Sequence, residues 1–171
     1  MKKVLLSLLM VAGLGYAASA QTEGAVKKIT IGAEIGLPTE KGSSDLGLLV
    51  AGGSLQYEHP VAKDLNLTGS AGYLSSFSTK KDIEVSGGLI PVKVGAKYYF
   101  GGNFYGAAEL GAGFGTNEGA GTAFIYAPTL GASFSVSPKN NLDFGVRYEG
   151  YSQKGVSSGI VGLRAAFGFG L

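Results

Sequence analysis

Hydrophobic and polar residues alternate with a period of two along almost all of the chain beyond residue 28. That is the signature of strands with one apolar and one polar face. Eight such segments can be read: Ile29–Leu37, Leu48–Glu58, Leu65–Leu74, Ile90–Phe100, Phe104–Gly115, Phe124–Val136, Leu142–Tyr151 and Ile160–Leu171. At about 9–12 residues most are long for soluble strands and suit a tilted transmembrane strand of roughly 9–11 residues. Three connections are tight: His59–Asp64, Gly101–Asn103 and Ser137–Asn141, rich in Pro, Gly, Asn and Asp as turns require. Four are looser: Pro38–Asp45, Ser75–Gly88, Thr116–Gly121 and Ser152–Gly159. Tight turns at one end and longer loops at the other predict an all-β fold, an eight-stranded antiparallel up-and-down transmembrane β-barrel.

The two faces of each segment differ sharply. One carries series such as Ile29, Ile31, Ala33, Ile35 and Leu37, or Val161, Leu163, Ala165, Phe167, Phe169 and Leu171. The other holds all the strand charges: Glu34, Glu58, Lys93, Lys97, Glu109, Asp143, Arg147, Glu149 and Arg164, interleaved with Gly, Ser, Thr and Tyr. A soluble barrel turns the apolar face inward and a membrane barrel turns it outward. A soluble surface is about 25–35% charged, whereas this polar face is mostly small and neutral, which suits a crowded interior. Aromatic residues on the apolar face collect near segment ends. Tyr57, Phe100, Phe104, Phe134 and Phe144 lie by the tight turns, and Tyr73, Phe114, Phe124, Tyr126 and Tyr148 toward the loops. Two such belts mark two membrane interfaces.

Residues 1–20 read as a secretory signal peptide: Lys2 and Lys3, an apolar run from Val4 to Leu14, and the cleavage pattern Ala18-Ser19-Ala20 before Gln21. An apolar run of about 11 residues is short of the roughly 20 that a spanning helix needs. Residues 21–171 then form one barrel domain. Gln21–Lys28 is too short for a plug, and no further domain is expected after the last strand. The chain has no Cys, which excludes disulfides, thiolate metal sites, a Cys nucleophile and a lipidated N-terminal Cys. Two of the 14 Lys and Arg fall in the leader, leaving cations equal to the 12 Asp and Glu. That balance argues against a nucleic-acid partner.

The runs Ile90-Pro91-Val92-Lys93-Val94-Gly95-Ala96-Lys97-Tyr98-Tyr99-Phe100 and Val161-Gly162-Leu163-Arg164-Ala165-Ala166-Phe167-Gly168-Phe169, with the cleavage site, carry a resemblance. The chain resembles small eight-stranded outer-membrane β-barrels of the OmpA/OmpX type, in particular the outer membrane protein beta-barrel domain group common in Bacteroidetes. The resemblance implies residence in the cell outer membrane, outer-membrane lipids as surroundings, and a C-terminal strand read by the barrel-assembly machinery. This strand ends in Leu171 where such barrels usually end in Phe. The resemblance brings no catalytic residues with it.

An eight-stranded barrel has an interior about wide enough for its own side chains. Counting from the tight turns puts Glu34, Lys93, Glu109, Arg147, Glu149 and Arg164 at similar depth. Lys93 or Lys97 is expected to meet Glu109 on the neighbouring strand, and Glu34 to meet Arg164 at the closing seam. The reading is a lumenal ion-pair network that plugs the barrel; the alternative is a set of solvated charges in a wet lumen. Gly111-x-Gly113-x-Gly115 precedes a loop and not a helix, so it is no phosphate cradle. Asn66-Leu67-Thr68 falls within a strand, and the mixed-charge loop with Lys80, Lys81, Asp82 and Glu84 is expected to be solvated. Pro91 and Pro128 each remove a ladder donor and are expected to mark bulges or late strand starts. His59, the single His, precedes Pro60 at a tight turn, a poor place for acid–base chemistry on lipids. No enzyme activity, cofactor or metal is expected. A monomeric structural or interaction barrel is the leading expectation. A narrow pore for small solutes is the alternative, and a lipid-modifying barrel enzyme a remote one.

Overall fold

The computed structural model describes residues 26–40, 43, 46–80, 87–117 and 119–171. The leader, Gln21 and the loop residues Lys81, Asp82 and Glu84 lie outside the described residues. Eight strands follow one another: β1 (Lys28–Pro38), β2 (Leu48–Ala62), β3 (Leu65–Ser78), β4 (Gly87–Gly101), β5 (Phe104–Gly115), β6 (Thr122–Ser135), β7 (Asn140–Gln153) and β8 (Val156–Gly170). Each pairs antiparallel with its sequence neighbour, and β1 closes the barrel on β8. The closing register sets Glu34 directly opposite Arg164 and Ala33 opposite Ala165. A closed cylinder leaves no sheet edge, so every strand finds its backbone partners within the chain.

Burial is inverted relative to a soluble protein. Ile35, Leu37, Leu55, Val94, Leu110, Leu130, Val146 and Leu163 are all exposed on the outer wall. Glu58, Lys93, Lys97, Glu109, Asp143, Arg147, Glu149 and Arg164 are all buried inside. This is the arrangement of a transmembrane barrel, whose solvent on the outside is hydrocarbon. Both aromatic belts lie on the outer wall. At the loop end Tyr126 lies over Gly150 of β7, Tyr148 over Gly159 of β8, and Tyr73 over Gly88 of β4. In each case a β-carbon on the glycine would run into the ring or its hydroxyl. An aromatic ring covering a neighbouring glycine shields backbone that would otherwise face lipid.

Several strand boundaries differ from the sequence expectation. β2 continues past Glu58 to Ala62 through an irregularity between Pro60 and Ala62, so the turn expected over His59–Asp64 narrows to Lys63-Asp64. β3 runs on to Ser78 and β4 starts at Gly87, because the ladder continues through polar residues, with Leu48 opposite Ser78 and Val50 opposite Ser76. Beyond the hydrocarbon layer, backbone pairing persists without an apolar face, so hydrophobic alternation underestimates strand length. The loop expected over Ser152–Gly159 is a two-residue hairpin turn, with Lys154 at φ 49° and Gly155 at φ 82°. Two successive positive φ values match the right-handed twist of the flanking strands.

Pro91 and Pro128 are neither bulges nor strand starts. Both sit inside strands with the register intact on either side. The β3–β4 ladder skips the two positions between Ala71↔Val92 and Leu74↔Leu89. The β6–β7 ladder skips those between Tyr126↔Gly150 and Thr129↔Arg147. A missing N–H opens a short gap without changing the residue count. The register shifts fall instead at Pro60/Ala62 and Tyr99/Gly101, next to tight turns.

Leu163 is exposed on the outer wall near the middle of β8, opposite Ile35 and Val146. Leu163→Arg is expected to lower unfolding stability in phospholipid vesicles by about 2–4 kcal/mol, the cost of a cation at mid-membrane depth. Equilibrium urea titration checks this; an unchanged midpoint would mean that this wall does not face lipid.

Candidate functional site

The lumen is organised in three zones along the barrel axis. Nearest the tight turns, Lys97 on β4 reaches across to Glu58 Oε1 at 2.8 Å and Asp143 Oδ2 at 2.5 Å. Its ammonium stands 4.0 Å from the centre of the Tyr105 ring and 5.4 Å from that of Tyr99. Such positions over ring faces add attraction to a desolvated cation. Tyr105 donates its hydroxyl proton to Asp143 Oδ1 at 2.6 Å, and Asn66 Nδ2 donates to Glu58 Oε2 at 3.0 Å. The cluster thus satisfies both carboxylates from several strands.

The middle zone is built on two arginines. Arg147 bridges Glu34 and Glu109, each at 3.3 Å, while its Nε donates to Thr129 at 3.1 Å. Arg164 meets Glu34 at 3.5 Å across the closing seam and donates to Ser54 (3.0 Å) and Thr30 (2.9 Å). Glu109 accepts further hydrogen bonds from Gln56 at 3.0 Å and Thr68 at 3.1 Å. Lys93 is paired with Glu149. A weaker contact, Arg164 to Asp143 at 3.9 Å, ties this zone to the one below.

Nearest the loops the interior changes character. Ala123, Ile125 and Tyr151 form a small apolar core, with Leu89 and Ile160 packed against it. Val50 and Leu74 are buried at the same end. Polar strand faces therefore do not stay polar along their whole length, a change that the charge pattern alone does not announce.

Glycine placement explains how so many long side chains fit. Glu34 stands opposite Gly52, Lys93 opposite Gly111, Glu109 opposite Gly95, Arg147 opposite Gly162 and Arg164 opposite Gly145. Each long side chain has an empty position beside it on the next strand, the large-against-small arrangement that fills a narrow interior. Gly111 of the Gly-x-Gly-x-Gly run serves in this way. A β-carbon there would collide with the Val92 carbonyl.

All nine charges singled out in the sequence line the lumen, and Glu34 meets Arg164 as the seam predicts. The expected pairing of Lys93 or Lys97 with Glu109 does not form. Glu109 lies opposite Gly95, between the two lysines, and turns to Arg147, Gln56 and Thr68. Both lysines extend across the lumen to β2 and β7 instead. Long side chains in a narrow barrel reach the opposite wall, so strand adjacency is a poor guide to their partners. The neutral partners of these charges, Thr30, Ser54, Gln56, Asn66, Thr68, Tyr99, Tyr105 and Thr129, are not singled out by the charge pattern. Their strand phase was the available signal. His59 faces none of this: its Nδ1 lies 3.3 Å from the Tyr57 hydroxyl near a tight turn. Among the described residues no group of three or more His, Cys, Asp or Glu is placed to hold a metal ion.

Fold and lumen together define the class by architecture: a closed eight-stranded antiparallel β-barrel with an apolar outer wall and a charged lumen, the fold of small outer-membrane barrels of the OmpA/OmpX type. Among solved structures it is similar to Neisserial surface protein A, with a TM-score of 0.66 and 15% identity over 87% of this chain and 98% of that one. It is similar also to Ail, the attachment invasion locus protein of Yersinia pestis, with a TM-score of 0.57 and 20% identity over 84% and 99%. The N-terminal β-barrel domain of Pseudomonas aeruginosa OprF matches with a TM-score of 0.52 and 15% identity over 83% and 97%. At these identities the likeness is one of fold. No protein-family model and no curated protein sequence matches the chain.

Removing one partner from a buried ion pair leaves an uncompensated charge, at a cost of about 3–5 kcal/mol. Arg164→Ala is therefore expected to destabilise the barrel far more than Lys154→Ala at the exposed β7–β8 turn. The comparison is read by urea unfolding in detergent micelles. Equal midpoints for the two variants would remove the ion pairs from the account of stability.

Proposed function

We propose that this chain is a non-enzymatic outer-membrane barrel with a closed lumen, serving a structural or interaction role through its wall and loops. The observation that carries this reading is the filled interior. A small hollow of about 20 Å³ lies beside Glu34, Arg147, Glu149 and Arg164, bounded also by Val50, Leu74 and Ile160, room for about one water molecule. Above and below it stand the apolar core and the Lys97 cluster. A solute path would have to break several buried ion pairs at once.

The fold of the similar structures, one of them described as an outer membrane protein in a bilayer nanodisc, supports location in the outer membrane. The sequence pattern of residues 1–20 supports export by a cleaved signal peptide. On this reading the surroundings are outer-membrane lipids, insertion uses the barrel-assembly machinery through the β8 pattern, and the barrel works as a monomer without nucleic acid. The isolation of His59 from the lumenal carboxylates supports the non-enzymatic part of the reading.

Planar-bilayer recording separates the closed barrel from a narrow pore. The purified, refolded protein is expected to give no unitary current steps above the protein-free baseline. Reproducible steps whose ion selectivity changes with Arg147→Glu would overturn the closed-lumen reading.

A further inference from the structure

At the loop end the barrel carries an open concavity of about 660 Å³, within the range of roughly 300–1,000 Å³ common for small-molecule sites. Its floor is apolar: Leu89, Ala123, Tyr151 and Ile160, resting on the fully buried Ile125. One wall is the β7–β8 hairpin, which carries Val156 on the lumen-facing phase of β8, that of Ile160 and Arg164. Val156 is 72% exposed, a high exposure for an apolar side chain on the inner side of a strand. An isolated exposed aliphatic residue is ordinary; this one borders a hollow whose floor is made by the buried Ala123 and Tyr151 and the half-buried Leu89 and Ile160. The rim is polar. Gln153 and Ser158 offer hydrogen bonds, and Lys154, at the hairpin tip, is the one charged side chain among the described lining residues.

We propose that this mouth binds a small anionic amphiphile, a medium-chain aliphatic carboxylate, with its chain on the apolar floor and its carboxylate beside Lys154. Lys154, the one charged side chain among the described lining residues, favours an anionic head group. The closed floor selects a short chain and makes the site a dead end, with the Lys93–Glu149 pair beneath it. This inference stands apart from the closed-lumen reading, because binding at the mouth and current through the barrel are separate measurements.

The test is a titration of sodium octanoate into the ¹³C-methyl-labelled protein in phosphatidylcholine nanodiscs. Saturable shifts are expected at Leu89, Val156 and Ile160, and none at the outer-wall methyls of Leu130 and Val146. Hexanoate should bind about fifteenfold more weakly, at roughly a fourfold loss per methylene. Lys154→Glu should weaken octanoate about fivefold, the scale of an exposed ion pair, and leave octanol unchanged. Ala123→Phe, which fills the hollow, should abolish both; heat-modified gel mobility verifies that it has folded. Lys154→Glu lies on an exposed turn and keeps the test open if Ala123→Phe does not fold. Non-saturating shifts, equal shifts on the outer wall, or an affinity indifferent to Lys154→Glu would overturn the proposal.

Discussion

A backbone that crosses hydrocarbon must find its hydrogen bonds within the protein, because lipid tails offer none. For strands the only complete solution is closure, and here it is made by β1 against β8. The other features follow from that constraint. Once the sheet is closed, one face of every strand touches lipid and must be apolar. The opposite faces converge on an axis too narrow for bulk water. Charges that would be solvated on a soluble surface are thereby forced together, and they persist only as mutual partners. The seam states this most directly, since Glu34 and Arg164 stand opposite each other on the two strands whose meeting closes the barrel.

Within so narrow a cylinder, volume is as strict a condition as charge. A buried arginine needs a carboxylate within reach and also an empty place beside it. Both needs are met by period-two strands in which charged residues and glycines occupy the same face. Gly162 and Gly145 make room for Arg147 and Arg164, while Thr129, Thr30 and Ser54 take up the guanidinium protons that the carboxylates leave free. A buried donor without a partner costs more than a made hydrogen bond gains, so these small hydroxyl residues are as necessary as the acids. The same reasoning applies on the outer wall, where tyrosine rings cover glycines that would otherwise leave backbone open to lipid.

What the sequence disclosed followed from how local each property is. Strand number, the inward phase of the nine charges and the pairing at the seam all rest on period-two alternation and nearest-neighbour order. Strand ends were less legible: Ser76 and Ser78 continue the ladder without a hydrophobic signal, and Lys154-Gly155 turns more tightly than Ser, Gln and Lys suggest. At the prolines, loss of a donor suggests a change of register, whereas the ladder skips two positions and resumes. The partners of Lys93 and Lys97 were hidden for a geometric reason. They depend on the diameter of the closed barrel, a property of all eight strands at once.

The change from ionic to apolar filling toward the loops also has a physical cause. An ion pair gains most where water is excluded and loses much of its value where water screens it. Near an open mouth, buried charges would therefore hold the strands poorly. Ile125, Ala123, Leu89 and Ile160 pack together there; on the closed-lumen reading proposed above, this core keeps water from Lys93–Glu149 and the arginine layer beneath. Apolar core and ionic network are in this sense one device, the first protecting the second. The hollow above the core is the outer surface of that seal. Its apolar floor is needed to keep the interior dry, and an apolar floor open to solvent is also what gives a hydrocarbon chain a reason to settle there.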